Sequence, residues 1–386
     1  MSNLLKIGVI GTSKKENEFR LPIHPNHIRK IDSNLRNNMF FETGYGNKFG
    51  SIAKDLESEV AGMMSREKLF ETCDIILLPK PTEADFPFFK EGQILWGWPH
   101  CVQGEPITQV AIDKKMTLLA WEQMFFWKSD NVRDLHIFHK NNEMAGYCSV
   151  LHALQLRGIT GHYGSQKKAA AISFGATGRG SIHALMGMGY TDITVFTQRP
   201  SYGLNSPIPS LKYRQFKRIE TGSSRAVVLG EKGETTPFAE ELASYDVIVN
   251  CILQDTESPI MYVRGDEIIN MKPGTLIIDV SCDRAMGFDF ARPTSFDSPT
   301  FTVGNGIIYY AVDHTPTYLW DAATYEISQA LLPYLPTVMA GKEAWDKNEI
   351  IRNSIEIEKG VIQNSKILSF QNRHAEYPHL KTNAQS

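Results

Sequence analysis

Short, continuous apolar runs divide the chain, and the stretches between them are long enough to form helices. Three such runs lie at 73–78, 93–98 and 116–121. A strand that is apolar on both faces is typical of a buried parallel sheet, because helices cover both faces of such a sheet. The alternation of these runs with helix-length segments therefore predicts an α/β fold.

A second series of apolar runs lies in the middle of the chain, at 168–174, 192–197, 246–251 and 275–280. A helical pattern begins at Glu143, just before this series. The segment 201–236 is polar and rich in proline and glycine, so we interpret it as loops, and we expect the tail after Arg373 to be mobile.

The two series predict two Rossmann-like domains, one inserted in the other. We place the dinucleotide-binding domain at 142–315 and the substrate or catalytic domain at 1–141 plus 316–386. Ligand sites favour domain interfaces and the carboxyl ends of parallel strands, so we expect a cleft between the domains to hold the site.

Composition narrows the range of partners. A net charge of -3 gives no reason to expect nucleic acid or an anionic membrane, and small-molecule substrates remain. The N-terminal residues lack the long apolar stretch of a signal peptide, and no run approaches the length of a spanning helix. The five scattered cysteines form no CxxC pair, which predicts reduced core thiols, no metal site and a cytoplasmic protein.

A glycine-rich string joins an apolar run to a helical pattern. It reads Gly175-Ala176-Thr177-Gly178-Arg179-Gly180 after the run AAAISF. Glycines in this position allow a tight turn and let backbone N–H groups approach a pyrophosphate at a helix N-terminus. The spacing is GxxGxG instead of GxGxxG, so the setting carries the prediction of a dinucleotide site. The alternative is an ordinary glycine turn in an α/β protein.

The next predicted strand ends at Thr197, with Arg199 two residues further on. NAD-selective sites usually place an acidic residue here to hold the ribose 2′-OH, whereas an arginine suits a 2′-phosphate. We therefore predict NADP(H) in preference to NAD(H), with Arg199 as a solvated loop residue being the alternative. We also assign Cys251, at the end of a predicted strand, to the cofactor site.

Charged residues follow several predicted strands: Arg20, Lys80, His100, Glu122 and Asp283. Strand ends of a parallel sheet meet at one edge, so these groups are candidates for chemistry. Arginine offers a bidentate fork for a carboxylate, and histidine titrates near neutral pH. Each residue has a structural alternative: a salt bridge for Arg20, a solvated loop for Lys80, a capping role for His100 and Asp283.

Several motifs, in order along residues 6–340, resemble those of the superfamily of alanine dehydrogenase and the NAD-binding subunit of transhydrogenase. The motifs are Asn17-Glu18-Phe19-Arg20, Glu42-x-Gly44-x-Gly46, Lys80-Pro81, the QIL…H element at 93–100, Glu143-x-Ala145-Gly146, Met271-Lys272-Pro273-Gly274 with Asp279, and Asp283 followed by Arg292-Pro293-Thr294. The chain departs from this pattern at the shifted glycines and the missing acid. Its Asp313-His314-x-Pro316 string looks like that of lysine-forming saccharopine dehydrogenases.

The chain as a whole also resembles the opine-forming N5-(carboxyethyl)ornithine synthases, and this resemblance implies NADPH-dependent condensation of pyruvate with the amino group of an ornithine-like amino acid. We expect Arg20 to bind the keto-acid carboxylate, with Lys80 and His100 as the acid–base groups. By resemblance, Asp283 steadies the amine and the protein is a homo-oligomer. Glu122 or Asp313 would hold the amino acid.

Three other functions remain open. An alanine dehydrogenase would use free ammonia, and a saccharopine dehydrogenase would use 2-oxoglutarate. A non-catalytic NADP(H)-binding protein would not need Lys80 or His100, whose presence together with Arg20 favours an enzyme.

Overall fold

Two parallel sheets organise the chain. A computed structural model describes residues 4–53, 56–128, 132–254 and 258–382. The chain divides into two compact parts, which we call unit 1, Met1–His139 with Trp320–Ser386, and unit 2, Lys140–Leu319.

The strands are short and alternate with helices along most of the chain. The strands are β1 Ile7–Val9, β2 Met39–Glu42, β3 Gly62–Met64, β4 Ile75–Leu77, β5 Ile94–Gly97, β6 Thr117–Ala120, β7 Phe125–Trp127, β8 Arg133–His136, β9 Lys168–Ile172, β10 Asp192–Thr197, β11 Lys212–Arg218, β12 Ala226–Leu229, β13 Thr235–Pro237, β14 Val247–Asn250, β15 Met261–Val263, β16 Leu276–Asp279, β17 Gly287–Phe288, β18 Thr300–Val303, β19 Ile307–Tyr310, β20 Ile355–Glu358 and β21 Val361–Ile362.

The α-helices are α1 Ser33–Arg36, α2 Leu56–Glu59, α3 Arg66–Thr72, α4 Glu105–Asp113, α5 His139–Arg157, α6 Ala176–Gly187, α7 Phe238–Leu242, α8 Trp320–Leu331, α9 Leu335–Ala340, α10 Lys342–Lys347, α11 Glu349–Asn353 and α12 Ser365–Phe370. Single 3-10 turns lie at Pro25–Lys30, Asn47–Ala53, Glu83–Phe88, Trp121–Gln123, Ser201–Gly203, Ile268–Asn270, Thr315–Leu319 and Leu332–Tyr334.

Unit 1 is built on an eight-stranded sheet in the order β21-β20-β6-β5-β4-β1-β2-β3. Strands β1 to β6 are parallel, and β20 adds antiparallel to β6. On β4, Ile75 and Leu77 join one apolar cluster, and Ile76 joins another on the opposite face. Both faces of the sheet are therefore buried, which explains why these strands read as continuous apolar runs.

Unit 2 is built on a nine-stranded sheet in the order β13-β12-β11-β10-β9-β14-β16-β19-β18. Strand β9 pairs in parallel with β10 on one side and with β14 on the other. The chain order thus reverses at β9, and in open α/β sheets ligands bind beside such a switch point. The predicted α/β class with two parallel-sheet domains is confirmed.

The interpretation of 201–236 as loops was wrong in part, since β11, β12 and β13 lie in this segment. Strand β11 pairs with β10, but of its seven residues only Phe216 is fully buried. Its remaining side chains are polar or half-exposed, so the apolar signal of a buried strand is missing from the sequence.

The expectation of a mobile tail was also wrong as far as residue 382. Arg373 and Lys381 form an antiparallel bridge, and His379 is buried, with its Nε2 accepting the Ile362 N–H at 3.0 Å.

Helices α5 and α6 of unit 2 pack at backbone contact. A Cβ added at Gly146 would lie 2.0 Å from the Thr177 carbonyl oxygen, and one added at Gly180 would lie 1.8 Å from the Glu143 carbonyl oxygen. Only glycine fits at either position, because carbon and oxygen cannot approach so closely without moving a helix. The motif Glu143-x-Ala145-Gly146 is therefore a packing motif.

We expect Gly146→Ala to lower the free energy of unfolding by about 1–3 kcal/mol, because overpacking forces the two helices apart. Gly187→Ala is the matched control, since no described atom lies within 4 Å of a Cβ placed there. It should be neutral or stabilising by up to about 1 kcal/mol. Urea unfolding of the two variants measures the difference, and equal stabilities would contradict the packing assignment.

Candidate active site

The charged residues that follow the strands of unit 1 lie together at one edge of its sheet. Nζ of Lys80 and Nε2 of His100 are 3.1 Å apart. The guanidinium carbon of Arg20 lies 5.2 Å from the centre of the Trp98 ring, and Nζ of Lys80 lies 5.8 Å from the same ring. Three residues distant in sequence thus form one cluster around Trp98.

Arg20 is held by Glu18, a residue of the same motif that we had not assigned to the site. Its Nε donates to Glu18 Oε1 at 2.8 Å and its Nη2 donates to Oε2 at 2.5 Å, and both side chains are buried. Burial raises the pKa of Glu18, but the charges of Arg20 and Lys80 and the hydrogen bonds from Arg20 outweigh it and leave this pKa lowered. A carboxylate bound by Arg20 would therefore share the guanidinium with Glu18.

His100 has an unusual backbone conformation that Glu122 supports. Its φ is +50°, a region that histidine tolerates better than most residues. The His100 N–H donates to Glu122 Oε1 at 2.7 Å, and His100 Nδ1 lies 3.8 Å from that oxygen. Glu122 thus orients His100 from the protein side, and the half-exposed imidazole remains accessible to solvent.

Glu122 itself is an unusual acid. Burial raises its pKa, and the neighbouring charge of Glu356 raises it further, to about 8. Its Oε2 is buried with no hydrogen-bond partner among the described residues. We predicted that Glu122 binds the substrate. In the structure its Oε1 already accepts the His100 N–H.

A buried arginine, also missed from the sequence, joins the loops that carry Arg20 and Lys80. Arg66 Nη1 donates to the Thr12 carbonyl oxygen at 2.6 Å, and its Nη2 donates to Asp85 Oδ1 at 2.7 Å. Glu42, from the glycine-spaced motif, accepts the N–H groups of Gly11 and Thr12 at 2.7 and 2.8 Å. These contacts position the loop after β1 against the loop after β4.

In unit 2, the glycine loop forms a cradle at the N-terminus of α6. A Cβ at Gly178 would lie 2.4 Å from the Ser173 carbonyl oxygen, so the turn requires glycine there. At Gly175 the nearest described atom to such a Cβ is 3.6 Å away, and no described side chain caps the helix. The first N–H groups of the helix are available to an anion, which fits the pyrophosphate of a dinucleotide.

Arg179 faces away from this cradle toward the segment that follows β10. Its guanidinium donates to the carbonyl oxygens of Asn205 and Ser206 and lies 3.9 Å from the centre of the Phe174 ring. In the structure it therefore braces a loop.

The end of β10 carries no acid. Thr197 is buried and its hydroxyl donates to the Arg199 carbonyl oxygen, while the Arg199 side chain is exposed. Cys251 continues from β14 beside the glycine loop, with its Sγ 3.2 Å from Ser181 Oγ. Burial raises the pKa of Cys251 to about 12, so its thiol stays neutral, and its place in the cofactor site remains a prediction.

Asp283 lies in a loop that a buried acid organises. Asp279 Oδ2 accepts the Tyr309 hydroxyl at 2.5 Å, and its Oδ1 accepts from Asn250 Nδ2 at 2.9 Å. Burial raises the pKa of Asp279 to about 6 despite these donors. Burial also raises the pKa of Asp283, and residues Cys282 and Ala285 on either side of it have φ of +58° and +53°.

Asp313 and His314 form a pair at the end of unit 2. The Asp313 carboxylate hydrogen-bonds Nδ1 of His314, and the Asp313 side chain is 40% exposed while that of His314 is 5% exposed. The carboxylate is thus oriented by the buried imidazole and remains accessible.

Two kinds of feature are absent from the described ranges. No helix there is both long and apolar enough to cross a membrane. No group of three or more His, Cys, Asp or Glu residues among the same residues could hold a metal ion.

Two protein-family models match the chain, one over each part. The model of the alanine dehydrogenase/PNT N-terminal domain matches residues 9–145, and that of the C-terminal domain matches residues 174–365. Alanine dehydrogenase 2 of Staphylococcus aureus strain USA300 is 25% identical over 379 residues, which cover 93% of this chain and 95% of that protein.

Solved structures share the fold. An L-alanine dehydrogenase superposes with a TM-score of 0.72 at 18% identity, covering 95% of this chain and 99% of that one. A transhydrogenase from Sinorhizobium meliloti superposes with a TM-score of 0.68 at 16% identity, covering 93% and 99%. Because the two family models together match most of the chain, the protein belongs to the alanine dehydrogenase/PNT family and is an NAD(P)-dependent oxidoreductase that acts on CH–NH donors.

Proposed function

We propose that the protein catalyses the NADPH-dependent reductive condensation of a 2-keto acid, pyruvate, with the amino group of an ornithine-like amino acid. The observation that supports this proposal is the accessible Asp313 carboxylate held by His314, a group that can bind an amino-acid ammonium. Ammonia needs no such partner, whereas an amino-acid substrate brings a second charged group that a carboxylate can bind.

The cluster of unit 1 suits the keto acid. Arg20 binds the carboxylate on the guanidinium that it shares with Glu18, and Lys80 donates to the carbonyl oxygen. His100, within hydrogen-bonding distance of Lys80, moves the proton that loss of water from the carbinolamine requires. Asp283 in unit 2 steadies the cationic amine.

The glycine loop of unit 2 would hold the cofactor, which supplies a hydride when bound. Backbone N–H groups at Gly175–Gly178 bind the pyrophosphate, and Gly180 lets α6 pack against α5 behind them. Arg199, exposed beyond an acid-free strand end, binds the 2′-phosphate of NADP(H).

Alanine dehydrogenase activity is the second candidate. The relative from Staphylococcus aureus is named alanine dehydrogenase 2, and the match covers 95% of its length. It would use the same keto-acid cluster with ammonia in place of the amino acid. Asp313 would then have no substrate to bind.

Oxidation of NADPH, crossing pyruvate, 2-oxoglutarate and glyoxylate against ornithine, lysine, other amino acids and ammonia, separates these candidates. We expect turnover with pyruvate and a diamino acid, because the second ammonium group of the diamino acid can bind the Asp313 carboxylate. Turnover with ammonia alone would instead establish alanine dehydrogenase activity. A protein inactive with every pair would contradict both.

We expect His100→Ala to lower turnover by roughly two to four orders of magnitude, the usual contribution of a general acid–base group. His374→Ala is the control, since His374 is an exposed histidine of the same unit and should retain full activity. Steady-state kinetics on both variants provide the measurement, and a loss under about tenfold for His100→Ala would assign the proton transfer elsewhere.

Arg199→Ala tests the cofactor preference. Removing the guanidinium should weaken NADPH binding by roughly tenfold or more, since a charge-assisted hydrogen bond contributes about 1.5–3 kcal/mol, and should leave NADH binding unchanged. Titration of cofactor fluorescence gives both dissociation constants. An equal effect on the two cofactors, or none on NADPH, would remove Arg199 from the 2′-phosphate site.

A further inference from the structure

A buried glutamate from the C-terminal part of the chain lies below the cluster of unit 1. Glu356 is on β20, where the pairing with β6 shifts register between Ile355 and Ile357. Such an irregularity redirects the side chain that it carries. Glu356 is only 1% exposed, and Ile355 and Ile357 on either side of it are buried as well.

Neutral groups surround the Glu356 carboxyl. Oε1 accepts from Gln123 Nε2 at 3.0 Å and from Asn364 Nδ2 at 2.9 Å. Oε2 is buried, Cys101 adds hydrogen bonds to the carboxyl group from its backbone and its thiol, and the described residues form no ion pair with it. Burying an ionised carboxylate without a cation is costly, so this environment favours a protonated acid.

Glu122 is the second acid of this site. Glu356 hydrogen-bonds Cys101 and Gln123, and Glu122, the neighbour of Gln123, accepts the N–H of His100, the neighbour of Cys101, so the two carboxyl groups lie beside the same two segments. The charge of Glu356 also raises the pKa of Glu122, whose Oε2 is buried without a hydrogen-bond partner among the described residues. Two neighbouring buried carboxyl groups cannot both ionise readily, so the pair retains one proton beyond the pH at which either acid alone would lose it.

The pair is connected to the candidate proton-transfer group through Glu122. Its Oε1 accepts the His100 N–H and lies 3.8 Å from His100 Nδ1, and His100 Nε2 lies 3.1 Å from Lys80 Nζ. A negative charge on Glu122 would favour the imidazolium form of His100, and a proton on Glu122 would remove that support.

We infer that Glu356 is a positioning residue for proton transfer: paired with Glu122, it holds a proton at the pair and thereby limits the negative charge that His100 experiences. This inference rests on the proposed role of His100. It explains why a strand from the far end of the chain adds to the sheet beside β6 with a buried acid at its irregular position.

The other ionisable groups around the pair do not replace this effect. Lys80 lowers the pKa of Glu122, as do hydrogen bonds from the backbone, but less than burial and Glu356 raise it. Arg133 donates to Gln123, and its pKa stays lowered because burial outweighs the charge of Glu356. Burial lowers the pKa of His136 to about 4, so His136 is neutral, and the Cys101 thiol is neutral because burial raises its pKa.

The variant Glu356→Gln keeps the shape of the side chain and removes its charge and proton. Glu122 should then ionise at lower pH, and the titration midpoint of His100 should move upward by about one pH unit. The measurement is NMR titration of histidine-labelled protein without cofactor or substrate, with the His100 signal assigned by its loss in His100→Ala. The matching limb of the pH profile of kcat/KM should move in the same direction.

Glu358→Gln is the matched control, because Glu358 lies on the same strand and pairs with Lys342 at the surface, 3.3 Å away. It should leave the His100 midpoint unchanged. In a Glu122→Gln background, Glu356→Gln should produce no further shift, since its effect passes through Glu122. A purely structural Glu356 would change the thermal midpoint of Glu356→Gln and leave the His100 titration unchanged.

The inference is overturned if folded Glu356→Gln protein shows the wild-type His100 midpoint, or if the shift persists without Glu122. Failure of the proposed function gives a different result, in which no substrate pair is turned over while the His100 shift is still observed. A stability measurement adds an independent readout. Acids whose folded-state pKa is raised stabilise the protein at low pH and lose that contribution as pH rises through the folded value. Wild-type thermal stability should therefore fall more steeply between the unfolded value of 4.5 and the folded value of about 8 than that of Glu356→Gln.

Discussion

The buried guanidinium of Arg66 is the contact on which the site of unit 1 depends. A parallel sheet brings the carboxyl ends of its strands to one edge, but the loops beyond those ends are long and polar. Arg66 donates to the Thr12 carbonyl oxygen in one loop and to Asp85 in the next, at 2.6 and 2.7 Å. A buried cation needs such partners, so neither loop can move without leaving a charge unpaired. Arg20 follows Thr12 in the first of these loops, and Lys80 comes shortly before Asp85 in the second.

Unit 2 solves a different problem, which is to present backbone to an anion. Three glycines do this in three ways: Gly178 permits the turn, Gly175 leaves room above it, and Gly180 lets α6 pack directly on α5. Side chains contribute little to the cradle, and Arg179 is engaged with loop carbonyls. Because a cradle of this kind relies on N–H groups and on close packing, the GxxGxG spacing is compatible with the proposed pyrophosphate site.

Three buried acids carry much of the electrostatic character of the two units. Asp279 receives donors on both oxygens and still has a raised pKa, and burial likewise raises the pKa of Glu122 and of Glu356. Desolvation of this kind costs stability, and it is found at sites where a proton has to be retained or moved near neutral pH. In unit 1 only Glu122 contacts His100, and Glu356 acts on it through Glu122, whereas the acid of unit 2 accepts the Ser281 N–H in the loop that carries Asp283.

The sequence by itself determined the fold class, the strands of both sheets that are buried on both faces, and the residues that follow them, because burial imposes a continuous apolar pattern and glycine marks the tight turns. It did not reveal β11, whose polar side chains hide an added strand, or the packing of the tail through His379. Glu18 and Glu42 lay within recognised motifs, but their partners were invisible. Only the tertiary structure brought Arg66 to Asp85 and Glu356 toward Glu122, since these contacts join residues far apart in the chain and depend on the order of strands in the sheet.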